Sequence, residues 1–91
     1  MQKRKSPFKK DISERIKAIR STMGLLQKDF AQKLGFAEKT ISTIETKRQL
    51  PTIPLITSLM KNFNISSSWL LTGEGEMYNK KDEPESSQLE L

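Results

Sequence analysis

The sequence predicts an all-α fold, five short helices around one small core. Three observations carry this. Apolar residues recur at three- and four-residue spacing in five successive windows, the period of a helix face. The windows are separated by Gly24, Gly35, Pro51, Asn64 and Gly73, residues that stop a helix or precede a new one. No segment shows sustained period-two alternation, so no sheet is expected. With 91 residues, 34% of them hydrophobic, the chain has room for one domain and a modest core.

Asp11 followed by Glu14 has the spacing of a capping box and opens the first helix. Behind it Ile12, Ile16 and Ile19 form an apolar face, with Arg15, Lys17 and Arg20 expected off it, and Gly24 stops the helix. The second runs from Gln27 to Leu34 with Phe30, Ala31 and Leu34 inward, and Gly35 ends it. The third is expected from Ala37 to Thr46, with Ala37, Ile41 and Ile44 on one side. A loop, Lys47 to Leu50, follows. Pro51 sits just before the fourth helix, where a missing N–H is cheap, and Ile53, Ile56, Leu59, Met60 and Phe63 make its apolar stripe. Asn64 is its expected left-handed stop. Ile65, Trp69 and Leu70 mark a short last helix capped by Ser66 and closed by Gly73 and Gly75.

Three regions follow from composition: a basic flexible arm over residues 1–10, an ordered domain over 11–78, and an acidic disordered tail over 79–91. The net charge of +5 is unevenly placed. Up to Thr52 there are 13 Lys/Arg against 5 Asp/Glu; from Ile53 onward there are 3 against 6. A basic front half points to a polyanionic partner. With no cysteine and no histidine, disulfides, thiolate or imidazole metal sites and cysteine nucleophiles are excluded. No metal or other cofactor is expected. No apolar run approaches a membrane span, and no apolar stretch follows the basic N-terminus as a secretory signal requires, so a cytoplasmic protein without membrane contact is expected.

The second and third helices carry the functional signal. Gln27 to Gly35 followed by Phe36 to Glu45 has the spacing of a helix-turn-helix. Ala31 is small where the second helix of the pair crosses the first, and Gly35 makes the turn. Ile41 and Ile44 anchor the later helix on the core. Its other face, Glu38, Lys39, Ser42, Thr43 and Thr46, holds no large apolar side chain. An exposed helix of this kind fits the major groove, about 12 Å wide.

These residues resemble the helix-turn-helix domains of lambdoid phage repressors, Cro proteins and the xenobiotic-response-element class of bacterial regulators. The resemblance covers about Asp11 to Met77. It rests on Gln27, Ala31, Leu34-Gly35, Ile41-Ser42, Glu45, Pro51 and Trp69-Leu70-Leu71-Thr72-Gly73 standing together at the family's spacing. It implies a repressor-like five-helix fold and sequence-specific binding of double-stranded DNA. It also implies transcriptional repression as a homodimer, on the nucleoid of a bacterial or phage-infected cell. It places Glu38, Lys39, Ser42 and Thr43 against base edges, with Ser42 alternatively bonding back to its own helix. Phosphate contacts are implied for Gln27, Thr40, Lys47 and Arg48, joined by Lys9 and Lys10 of the arm. Arg20 and Glu45 correspond to a partly buried ion pair that holds the recognition helix. Trp69 is expected in the core, with Leu71 available to a dimer interface.

The chain departs from the family at three points. Leu26 and Ala37 stand where Ser or Thr commonly caps the two motif helices, a loss of roughly 1 kcal/mol each. Glu38 recovers part of this through the helix dipole. Lys47 stands where Gly is common, which predicts backbone strain or a different loop. The rival reading is an antitoxin-type regulator whose tail from Asp82 to Leu91 binds a partner protein. No convergent acid–base pair or phosphate-cradling glycine loop suggests an enzyme.

Overall fold

The computed structural model describes residues 11–79. Five helices follow one another: α1 (Ile12–Met23), α2 (Gln27–Leu34), α3 (Glu38–Glu45), α4 (Ile53–Phe63) and α5 (Ser67–Thr72). Helix α3 packs on α2 and α1, α4 on α2, and α5 on α1. Ile16, Ile19, Phe30, Ala31, Leu34, Ile41, Ile44, Leu55, Leu59, Ile65 and Leu70 form one continuous core drawn from all five helices and the α4–α5 link. Each large aliphatic side chain fully buried there contributes roughly 1.5–3 kcal/mol relative to exposure. Phe30 and Phe63 stack with centroids 5.7 Å apart, locking α4 onto α2. Ser58 adds a bond from its hydroxyl to the Leu34 carbonyl, 2.8 Å, at the end of α2.

The caps explain the boundaries. Asp11 accepts from the Glu14 N–H, Thr52 from Leu55, and Ser66 from Trp69, each satisfying a donor that the first helical turn leaves open. Thr52 is thus the cap of α4; Pro51 lies just before it, as expected, and Pro54 stands in the first turn. Asn64 ends α4 at φ 58°.

Three expectations are corrected. Arg15 is buried, not off the core: its Nε donates to the Leu70 carbonyl at 2.7 Å, tying α1 to α5. Ala37 is exposed, because it is the residue that precedes α3 and not its first inward position. Ile53 is 72% exposed and Leu55 takes the core place, because the buried face of α4 runs through Leu55 and Leu59 at i, i+4. Among the described residues no strand forms, as expected; the chain after α5 turns back and pairs with the α4–α5 link at one point only. Ser66 N–H donates to the Met77 carbonyl and Asn79 N–H to the Asn64 carbonyl, forming one antiparallel bridge, Ile65–Tyr78. A single bridge is too short to leave an alternating pattern in the sequence. The arm over 1–10 and the tail, apart from Asn79, lie outside the described residues.

Candidate nucleic-acid interface

Helices α2 and α3 meet through a tight turn. Gly35 sits at φ 84°, its N–H donates to the Gln32 carbonyl, and Phe36 N–H donates to that of Ala31. This closes α2 with both bonds of a Schellman motif. Ala31 is fully buried beneath the crossing. Ile41 and Ile44 are likewise fully buried, so α3 is fixed by one face and open on the other.

On the open face Glu38, Lys39 and Thr46 are exposed, and Thr40, Ser42 and Thr43 are half-buried. The backward hydroxyl bond, one of the two alternatives at Ser42, is made by Thr43, whose Oγ1 donates to the Lys39 carbonyl at 2.6 Å. Thr46 donates to the carbonyls of Ser42 and Thr43. The carboxylate of Glu38, the ammonium of Lys39 and the hydroxyl of Ser42 are therefore the freest groups for reading a ligand. Leu26 and Ala37 give no side-chain cap, so the first N–H groups of both α2 and α3 lack the bond that the other three helices have.

A polar network holds α3 from behind. Arg20 Nε and Nη2 donate to the two oxygens of Glu45 at 2.8 and 3.0 Å, a two-pronged pair. Nη1 donates to the Leu25 carbonyl at 2.9 Å, and Gln27 Nε2 to Glu45 Oε1 at 3.0 Å. The Glu45 side chain is 3% exposed and that of Arg20 17%. The carboxylate raises the Arg20 pKa further, partly opposed by burial. One network thus joins α1, the α1–α2 link, the start of α2 and the end of α3. An amide nitrogen carries two protons, so the Gln27 bond to Glu45 still leaves one for another acceptor.

Beyond α3 the strained backbone expected at Lys47 is found, together with a side-chain contact that the sequence reading missed. Lys47 stands at φ 66°, in the left-handed region. Its N–H donates to the Ile44 carbonyl and Arg48 N–H to that of Thr43, the same two-bond ending that Gly35 gives α2. Its ammonium lies 2.8 Å from Glu14 and 3.0 Å from Asp11, in the first turn of α1 and its cap. The Glu14 and Asp11 carboxylates raise the Lys47 pKa. The Glu14 backbone N–H, then Lys47, hold Asp11 below its ordinary value of 3.8. The available signal was a non-glycine residue at a glycine place, together with two carboxylates at the start of α1. Arg48 is exposed beside it. Lys9 and Lys10 lie outside the described residues.

Among the described residues no cluster of three His, Cys, Asp or Glu is arranged to hold a metal ion. No described helix is long and apolar enough to cross a membrane. No solved structure matches the chain. The family model for the helix-turn-helix domain matches residues 13–76, from the first turn of α1 to the segment that returns after α5. With the two motif helices, their glycine turn and the open face of α3 in place, the chain belongs to the helix-turn-helix domain family of DNA-binding regulators.

Proposed function

We propose that the protein binds double-stranded DNA sequence-specifically as a homodimer and represses transcription by occupying its operator. The observation that carries this reading is the open face of α3, polar throughout and docked from behind by the Arg20–Glu45–Gln27 network. In the major groove Glu38, Lys39 and Ser42 reach base edges, with Thr43 offering its hydroxyl oxygen as an acceptor. The uncapped start of α2, with the Gln27 amide, approaches a phosphate, as helix N-termini do. Thr40 and Arg48 flank the groove, and Lys9 and Lys10 add phosphate contacts from the arm.

An eight-residue recognition helix spans few base pairs, so two copies are needed for a useful site. Half-sites then lie about 34 Å apart. Leu50 (77% exposed), Ile53 and Leu71 are large apolar side chains left uncovered, which supports association with a second copy. The repressor role rests on the resemblance to phage repressors and Cro proteins.

Selection of bound duplexes from a random pool tests the reading. An inverted repeat with its halves about one helical turn apart is expected. With roughly 4–6 phosphates neutralised per dimer, the slope of log K against log salt is about −4 to −5. A pool that yields no enriched sequence, or a slope near zero, overturns the proposal.

A further inference from the structure

We propose that Lys47 is a positioning residue for base recognition and not a phosphate ligand, fixing the direction of α3 by tying its C-terminal end to the start of α1. This rests on the DNA-binding reading above.

Three observations converge. First, Lys47 occupies the left-handed position that ends α3, where a β-carbon is disfavoured and glycine serves at the equivalent end of α2. A lysine held there has its side chain launched from a fixed, strained backbone. Second, the ammonium reaches two carboxylates at once, Glu14 at 2.8 Å and Asp11 at 3.0 Å. The three groups together carry a formal charge of −1, which repels an approaching phosphate. Third, the tie is the second attachment of α3 to the same helix. Arg20, in the last turn of α1, grips Glu45, while Asp11 and Glu14 stand at the other end, roughly 9–14 Å away along the axis. One attachment is a pivot; two attachments at separated points set an angle. The angle of α3 decides whether Glu38, Lys39 and Ser42 meet the bases they read.

All three members are about half exposed, so the tie adds little to stability and the fold persists without it. Its consequence is read in specificity. The full chain is titrated with a duplex enriched from a random pool and with a random duplex of equal length, over a range of salt. If the wild-type protein shows neither preference nor salt dependence, the DNA-binding reading itself fails, and this inference with it.

Where the wild type shows both, Lys47→Gln and Asp11→Asn/Glu14→Gln decide the role of Lys47. The second variant keeps Lys47 and a competent cap on α1. Loss of one aligned base contact is worth roughly 5- to 150-fold in discrimination. A half-exposed tie is worth at most about fivefold in each subunit, so both variants are expected to lower the enriched-to-random affinity ratio severalfold, up to about 25-fold per dimer, with the salt slope of Lys47→Gln essentially that of the wild type. Lys47→Gly relaxes the backbone and guards against misfolding; it is expected to show the same loss. The proposal is overturned if Lys47→Gln weakens both duplexes by one factor and the slope becomes shallower by about 2 per dimer, the signature of a lost phosphate contact in each subunit. It is equally overturned if freeing the ammonium in Asp11→Asn/Glu14→Gln tightens both duplexes alike.

Discussion

Removing the Arg20 guanidinium tests the network that fixes the recognition helix. In Arg20→Ala, Glu45 loses two charge-assisted bonds and keeps only the Gln27 amide, while the Leu25 carbonyl loses its donor. Breaking a fully buried pair from one side costs about 3–5 kcal/mol. The Arg20 side chain is 17% exposed, so water can enter its vacated place and reach Glu45, which lowers the expectation to about 2–4 kcal/mol. For the 69 described residues the unfolding entropy near the midpoint is about 0.14 kcal/mol/K, so the midpoint falls by roughly 15–30 °C. That is a large share of the total stability of so small a domain. Thermal unfolding followed by far-ultraviolet circular dichroism at neutral pH measures it. Glu45→Gln should fall less, because the arginine left behind is nearer to water. Arg20→Met/Glu45→Leu should lose less than the two single losses added, since no charge is stranded. A midpoint within 3 °C of wild type for Arg20→Ala would refute the reasoning, for it would mean that Glu45 does not depend on its partner.

Other outcomes follow from particular groups. A carboxylate facing the duplex is repelled by it unless it accepts from a cytosine amino group. Glu38→Gln is therefore expected to tighten random DNA while losing roughly 1–3 kcal/mol of discrimination at one base pair; an equal gain on both duplexes shows that Glu38 reads nothing. Gly73→Ala places a β-carbon 3.2 Å from Arg15 Nη1 at φ 84°, whereas at Gly35 a β-carbon meets nothing. Gly35→Ala is expected to cost about 1 kcal/mol and Gly73→Ala visibly more, by chemical denaturation; equal losses would show that Arg15 moves aside freely. The Asp11 pKa is depressed in the folded chain, so its contribution is present above the ordinary value of 3.8 and lost as pH falls through the lower folded value. Asp11→Asn should accordingly show a smaller drop in midpoint between about pH 5 and pH 2 than the wild type, and an identical drop would exclude this role.

The helices were legible where the chain carries punctuation. Gly24, Gly35 and Gly73 all stand at positive φ, and Asp11 and Ser66 cap as their positions suggest. Buried faces set by two or three aliphatic residues, as in α2, followed directly from the helical period. The phase of α4 was harder to fix: Ile53, Leu55 and Ile56 are all apolar, and only packing on α2 and the core selects Leu55. Arg15 could not be placed from spacing, because its partner carbonyl, Leu70, is 55 residues away and a long side chain can carry its charge to the edge of a core. Within the candidate site, the surface of α3 was readable as a face without large apolar groups. The Arg20–Glu45 pair came from resemblance to a family, since nothing in a single sequence links two residues 25 positions apart. The reach of Lys47 to Asp11 and Glu14 was missed for the same reason: the residue type signalled an unusual backbone, but not the direction of its side chain.

Burial divides the work between the two ties that α1 makes to α3. Around Glu45 the carboxylate is nearly dry, so the strength of each bond is felt in full and the loss of a partner is severe. Around Lys47 the groups are half in water, so the same kind of pair is weak and salt-sensitive. A weak tie cannot hold a fold together, but it can choose among small tilts of a helix already held at one end, because those alternatives differ by little. Arg20 therefore determines whether α3 is present as a docked helix, and Lys47 the angle at which it is presented. On this account substitutions on α1, which offers no reading face itself, divide into two kinds. Those near Arg20 lower stability and with it all binding, while those near Asp11 and Glu14 leave the protein folded and blur its choice of sequence.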